Sequence, residues 1–376
     1  MKKYILLLLA LVTAASCKRP VVQPRPAIGL VHAVVADTAG LYRLAAQAGR
    51  RGAEGSIAII GEPENAILLA RRFQGADFVD NIDGGAGRDS LQDFAGESFD
   101  VVMDAANAPY AHFWQVAEPL ADSLRHQVLD SLREAAVQNA LFAWDSTCYR
   151  QALDPEAFLH KQRAKILIYT SSLNARWGLF DVDTLQQLCG GQSRILSPVH
   201  TLLADAYAAG ARNIAVWTSR DIRSSGAWQA VFAEGDYPDA RLAVVAPEAA
   251  LDVRTEFRSF LRQYRSTGRP LDALLLDSYT IDVNPLLSEL KLIRIQGTEE
   301  DTAFSQMLSP GFQILDPIHS LIGTTYRLLR ENHLFTHKIA RPAIHFYETD
   351  EGEYGNNVII ETTASYALST YVPDLN

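Results

Sequence analysis

Cysteine is scarce in this chain: three in 376 residues, Cys17, Cys148 and Cys189. That rules out a disulfide framework as the source of stability. Basic charge is also short, with 34 Lys and Arg against 44 Asp and Glu, a net charge of −10. No basic stripe with interleaved aromatics occurs, so nucleic acid is excluded as a partner, and a polyanionic ligand is disfavoured. Phosphate-binding spacing is missing as well. Gly84–Gly85–Ala86–Gly87 is glycine-rich but matches neither GxGxxG nor a P-loop, and no cofactor is implied. The acidic turn Glu348, Asp350, Glu351 and Glu353 lacks calcium-loop spacing, so no metal is expected and a solvated turn is.

What is present begins at the N-terminus. Lys2–Lys3 is a positive n-region, Ile5 to Val12 a short apolar stretch, and Ala14–Ala15–Ser16–Cys17 ends it with small residues and a cysteine. The stretch is too short to span a bilayer comfortably and reads as an export signal. The run before Cys17 resembles a bacterial lipobox. That implies cleavage before Cys17, loss of residues 1–16, lipidation at Cys17 and attachment to a membrane by lipid. Residues 17–27 are proline-rich and charged, a stiff tether. The expected location is the bacterial envelope, at the outer membrane facing the periplasm. For Cys148 and Cys189, a disulfide and two separate thiols both stay open; neither sits at a strand end as a nucleophile should.

The whole chain is 48% hydrophobic and 21% charged, an ordinary globular composition, and too long for one compact core. Short apolar runs recur: Ala27–Val35, Ser56–Ile60, Ala76–Val79, Phe99–Met103, Lys165–Thr170, Arg194–Leu196, Ile214–Trp217, Ala240–Val245, Leu271–Leu276 and Leu292–Ile295. Helix-like segments separate them, including Leu41–Ala48, Asn65–Phe73, Asp154–Arg163, Asp183–Leu188, Leu251–Tyr264 and Pro285–Leu290. Strands alternating with helices predict an α/β protein with parallel sheets covered on both faces. Ala343–Tyr347 and Asn357–Thr362 add a terminal β-hairpin or two edge strands.

An internal echo sets the architecture. Ile195-Leu-Ser-Pro-Val-His-Thr-Leu-Leu recurs as Ile314-Leu-Asp-Pro-Ile-His-Ser-Leu-Ile, with Tyr207 matching Tyr326. Each copy opens a helix after a strand. This predicts two Rossmann-like lobes built alike, each receiving a helix just after the chain passes between them. The expected partition is 28–192 plus 316–338 for the first lobe and 193–315 plus 339–376 for the second. For His200 and His319, a ligand-binding role and a packing or capping role at the start of those helices both stay open.

In open α/β sheets, ligands sit off the carboxyl ends of the strands. The polar residues there, Asp37, Thr38, Asp104, Asn107, Ser171, Ser219, Arg220, Asp277 and Gln296, are the candidate lining of an interlobe cleft for a small polar ligand. Arg220 suits a carboxylate, Asp277 an amine or hydroxyl. Tyr110, His112, Phe113 and Trp114 cluster just past one strand end, where aromatics either cover a ligand or anchor the helix to the core.

From Ser193 onward the order of segments resembles the type I periplasmic-binding-protein fold, shared with the ligand-sensing domains of LacI-type regulators. The matching pieces are Leu202–Gly210 before a strand, the Ser219–Trp228 helix start, Leu271–Asp277, Ile293–Gly297, and Asp316–Arg330 returning to the first lobe, with Ile339–Tyr347 going back to the second. The resemblance implies a lipid-anchored solute-binding protein. Ile214–Trp228 and the strand end Asp277–Ser278–Tyr279–Thr280 also resemble the Asp/Glu racemases. The two cysteines of that family would fall near Asp104–Asn107 and at 277–280, where this chain has none. The resemblance implies a racemase-like enzyme on a small amino or hydroxy acid, or a non-catalytic relative. A third class is an envelope-protein partner on the same fold, as in lipoproteins that activate peptidoglycan synthases.

Overall fold

A computed structural model describes residues 25–362 apart from 38–39, 51, 80–90, 152–157, 337, 339 and 352–356. The lipidation candidate Cys17, the glycine-rich loop at 84–87 and Thr38 lie outside the described residues.

The chain opens with two helices, α1 (Gly29–Ala36) and α2 (Leu41–Gln47), then β1 (Ser56–Gly61), α3 (Pro63–Gln74) and β2 (Ser98–Met103). Next come α4 (Ala111–Ala117), the long α5 (Asp122–Trp144), and the short strands β3 (Thr147–Tyr149) and β4 (Phe158–His160). The first half closes with β5 (Ala164–Tyr169), α6 (Ser172–Trp177), α7 (Leu179–Cys189), β6 (Arg194–Leu196) and α8 (Pro198–Ala208). The second half runs β7 (Asn213–Trp217), α9 (Arg220–Ser225), α10 (Ala227–Glu234), β8 (Arg241–Val245) and α11 (Val253–Arg265). It continues through β9 (Leu271–Leu276), α12 (Val283–Gln296), α13 (Glu299–Met307), β10 (Leu308–Leu315) and α14 (Pro317–Glu331), before β11 (Ala343–Glu351) and β12 (Asn357–Thr362).

The fold is α/β, with two sheets. One has eight strands in the order β4-β3-β12-β11-β2-β1-β5-β6; the other has four, β10-β9-β7-β8. Within them β2-β1-β5-β6 and β8-β7-β9-β10 follow the same order, and all six neighbour pairs are parallel. The internal echo therefore marks a true structural repeat. It equates β5 with β9 and β6–α8 with β10–α14.

The strands read as continuous apolar runs because both faces are covered. In β1, Ile57 and Ile59 pack with Phe73, Phe94 and Leu321, while Ala58 and Ile60 pack with Tyr169, Val182 and Leu202. The closing helices are exchanged between the lobes. Val199, Leu202, Leu203 and Ala206 of α8 pack with Ile214, Val216, Ala273 and Leu275 of the second sheet. Leu321, Ile322 and Leu329 of α14 pack with Phe73, Phe94 and Phe99 of the first lobe. Where the two helices meet, Ser320 Oγ donates to Asp205 Oδ2 at 2.6 Å.

Helix α11 shows how sequence sets an element. Asp252 caps it by accepting from the amides of Arg254 and Thr255. Phe257, Phe260, Leu261 and Tyr264, spaced i, i+3, i+4, i+7, are all buried. Each contributes on the order of 1.5–3 kcal/mol by leaving water. Trp217 at the end of β7 stacks on Phe257 and Phe260.

Several sequence expectations are corrected. Ala27–Val35, expected as a strand, carries α1. Ala76–Val79 is not a strand. The expected helix Asp154–Arg163 contains β4 instead. Pro285–Leu290 and Leu292–Ile295, expected as helix then strand, form the single helix α12. The terminal hairpin is present, but β11 pairs with β2, so it extends the first lobe's sheet rather than joining the second lobe. That pairing also departs from the type I binding-protein resemblance, in which this segment returns to the second lobe. Strand β6 likewise belongs to the first sheet.

Candidate functional site

Parallel strands place their carboxyl ends on one edge of each sheet, and the two lobes face each other along those edges. Three such ends, those of β5, β7 and β9, meet at Asp277, the first residue after β9. Its Oδ1 accepts from the Ser172 hydroxyl at 2.6 Å. Its Oδ2 accepts from the Thr218 hydroxyl at 2.6 Å and from Trp228 Nε1 at 2.8 Å. Ser172 opens α6 after β5, Thr218 follows β7, and Trp228 lies in α10. The Ser172 bond therefore crosses from one lobe to the other. A second crossing bond lies beside it: the Tyr279 hydroxyl donates to the Thr170 carbonyl at 3.0 Å. By the repeat, Thr170 after β5 is the counterpart of Asp277 after β9.

Burial raises the Asp277 carboxyl above the usual carboxylate value, against the pull of its three donors. Glu62, following β1, has the same direction of shift, again from burial. Its Oε1 accepts from the Tyr110 amide at 2.7 Å. Both acids and Ser278 are half-buried rather than sealed. Thr170 is buried and its hydroxyl has no hydrogen-bond partner. Gly61 permits this approach, because a Cβ there would overlap Thr170 Oγ1.

Asp104 lies one layer behind. It is fully buried and accepts from Tyr110 Oη, Asn139 Nδ2 and Asn107 Nδ2, each at 2.7 Å, and from Thr349 Oγ1 at 3.1 Å. Four donors occupy both carboxylate oxygens. Asp104 and Asn107 thus tie β2 to α5 and β11, and this carboxylate has no lone pair to offer a ligand. The corrected counterpart of Asp277 is Thr170, not Asp104.

The other expected lining residues do not join. Asp37 holds the amides of Gly40 and Leu41 in the turn between α1 and α2, because the segment before it is a helix and not a strand. Ser171 is at the seam, but its hydroxyl caps α6 by accepting from the Leu173 amide. Ser219 caps α9 from an exposed position, and Arg220 next to it is exposed. Gln296 is the last residue of α12 rather than the end of a strand. Sequence reasoning missed Glu62, Ser172, Thr218, Trp228 and Tyr279. The usable signal was the strand-end rule itself, since Glu62, Thr218 and Tyr279 lie within three residues of the ends of β1, β7 and β9 and Ser172 within three of the end of β5.

The repeated helices are capped by Ser197 and Asp316, and each repeated histidine bonds to the capping side chain. His200 Nδ1 is 2.7 Å from Ser197 Oγ, and His319 Nδ1 is 2.7 Å from Asp316 Oδ2. Tyr110 is a buried anchor. Cys148 and Cys189 are free and buried. Burial pushes the Cys148 thiol up to about 11 and raises Cys189 also. Neither takes part in the hydrogen bonds of the seam. Among the described residues no cluster of metal-ligating side chains occurs, and no helix is long and apolar enough to cross a membrane.

Beside the seam, an open groove of about 1230 Å³ runs between the lobes, lined from α3, α8, the 279–284 turn, α12, β10 and α14. Tyr279 lines it while its hydroxyl reaches the seam.

The chain matches no protein-family profile, and no curated protein matches it in sequence. Solved structures that match include glutamate racemase from Francisella tularensis subsp. tularensis SCHU S4 in complex with D-glutamate. That match has 11% identity and TM-score 0.45, covering 79% of this chain and 89% of that one. A glutamate racemase isoform of Bacillus anthracis matches at 12% identity and TM-score 0.45, covering 79% and 90%. Glutamate racemase from Aquifex pyrophilus matches at 14% and 0.44, covering 78% and 89%. All three are glutamate racemases, the second of the two families that the sequence resembles. At these identities the likeness concerns the course of the chain alone.

Proposed function

We propose that this protein binds a small molecule bearing an amine or several hydroxyls at the seam between its lobes. The observation that carries the reading is Asp277, a carboxylate bonded from both lobes by the hydroxyls of Ser172 and Thr218, with the Tyr279 hydroxyl crossing to the Thr170 carbonyl beside it. The seam is acidic and rich in hydroxyls. It favours a cationic or polyhydroxyl group over the carboxylate that Arg220 was expected to take. Ligand contact with Asp277 would replace the Ser172 bond and change how the lobes meet, a hinge response. The test titrates the mature protein with pooled amines, amino acids and sugars. A raised melting temperature and an altered scattering radius, both lost in Asp277→Asn, support the reading. If no member of the pool produces either change, the reading fails.

A second reading is a racemase-like enzyme acting on a small amino or hydroxy acid. It is favoured by Glu62 and Asp277, two carboxyls whose burial raises them toward the range where proton exchange is effective. Incorporation of solvent deuterium next to a substrate carboxylate would support it, provided the exchange survives loss of Cys148 and Cys189 and disappears in Glu62→Gln.

For location, the proposal is a mature chain lipidated at Cys17 and held in the outer membrane facing the periplasm. Labelling with a fatty-acid analogue, abolished by Cys17→Ala, tests the anchor.

A further inference from the structure

We propose that the groove beside the seam docks a basic, apolar-anchored segment of a partner protein. The volume, about 1230 Å³, exceeds the ~300–1,000 Å³ typical of a metabolite pocket. Its floor is apolar: Phe78, Ile281, Ile314 and Ile318 are each half-buried, with side-chain surface still open to a partner. Its margin is acidic. Asp77, Asp205, Asp282 and Asp316 line it, against Arg72 and His319. His319 is engaged by Asp316, and Arg327 stands 3.8 Å from Asp205, so four aspartates face two arginines and one histidine and the surplus is a small negative one.

The surface continues beyond the groove. Leu287 lines the groove and is exposed, and further along the same helix Leu292 and Ile295 are exposed too, the latter at 79%. Lys291 and Arg294 flank the outer part of that stripe, so the acidic margin belongs to the groove itself, and the groove's apolar floor within it is the complement of a helix with leucines on one face and lysines at its borders. The two halves of the site divide the work. The floor would provide affinity through apolar burial, and the margin would set the sign of charge and the rate of encounter.

The groove also touches the seam through Tyr279, whose ring is a shared wall. Docking there and ligand capture at Asp277 are nevertheless separable. The substitutions chosen to test the groove lie outside the Asp277 hydrogen bonds, so the groove can fail while the seam reading stands, and the reverse.

The experiment uses the full mature chain in a non-ionic detergent and a short synthetic helix-forming peptide of leucine and lysine. The matched leucine–glutamate peptide and spermidine serve as the other arms. The expected result is binding of the lysine peptide that weakens with added salt, no binding of the glutamate peptide, and hydrogen-exchange protection over 279–287 and 313–322. The double variant Asp205→Asn, Asp282→Asn is expected to weaken binding about tenfold, the loss of two partly screened charge contacts. Leu287→Lys, an exposed position where the fold is not at stake, should weaken it at least as much by repulsion. The proposal is overturned if the lysine peptide does not bind, or if both variants bind it as the parent does. It is also overturned if spermidine alone gives the same protection and competes fully, which would make the groove a polyamine site.

Discussion

Replacing Asp277 tests the seam most directly, because three donors from different elements depend on it. In Asp277→Ala, the buried Ser172 and Thr218 hydroxyls can rotate toward other acceptors, but the fully buried Trp228 holds its Nε1 in place. One stranded donor costs about 1–3 kcal/mol, and losing the charged bonds brings the expected total to about 3–5 kcal/mol. Asp277→Asn keeps one acceptor for Trp228 and Thr218 and offers its NH2 to Ser172 Oγ, so about 1 kcal/mol is expected. Ser172→Ala in the parent removes a bond to a carboxylate, about 1.5–3 kcal/mol, and in the Asn background about half that. The two sites are therefore coupled by about 1 kcal/mol or more in a double-mutant cycle. The assay is urea unfolding followed by circular dichroism. The pH dependence has a definite sign. Burial raises the folded Asp277 carboxyl above its usual 3.8, so its contribution is full below that value and falls as pH rises through the folded pKa. Asp277→Asn removes this dependence, so its cost relative to the parent should be greatest in acid and smaller at neutral pH. Strictly additive costs for Ser172→Ala and Asp277→Asn, or an Asp277→Ala protein within 1 kcal/mol of the parent, would refute the reasoning.

Other expectations follow from the same geometry. A Cβ at Gly178 would overlap Ala136 Cβ, so Gly178→Ala should cost about 1–3 kcal/mol, and Ala136→Gly should recover much of it, read by the urea midpoint. The Asp316 hydrogen bond raises the His319 pKa, so its contribution is full below the usual histidine value and lost as pH rises through the folded one. Asp316→Asn should lower the His319 pKa in an NMR titration; an unchanged pKa would contradict the pairing. Cys148 and Cys189, buried with raised thiol pKa, should resist maleimide until denaturant is added, as peptide mass spectrometry would report.

Much of the fold was legible because doubly covered parallel strands announce themselves as short apolar runs. Ser56–Ile60, Phe99–Met103, Ile214–Trp217 and Leu271–Leu276 all lie in strands. The misread segments share a cause. Ala27–Val35 is as apolar as a strand, and a short apolar run cannot be told from a buried helix by periodicity. At Leu292–Ile295 the helical spacing continues from Leu286 and Leu290 to Ile293, and the stop is Gly297 in the left-handed region at φ 68°. The hairpin was assigned to the wrong lobe because pairing with β2 joins residues more than two hundred positions apart, a choice that tertiary packing makes. At the site, the strand-end rule located Asp277 and Ser171. It also offered Asp104, whose neighbours Tyr110, Asn139 and Thr349 come from three different elements and could not be paired with it from sequence. Glu62 looked like an ordinary acidic helix start, and only its contact with the Tyr110 amide sets it apart.

The traded closing helices have a consequence for how this protein can be divided. A gene cut between Gly210 and Asn213 would give two fragments, each lacking the helix that covers its sheet and each carrying one that belongs to the other. Neither piece has a finished interior, so neither should become water-soluble until it meets its complement. The two halves descend from similar plans, yet they have become obligate companions from synthesis onward.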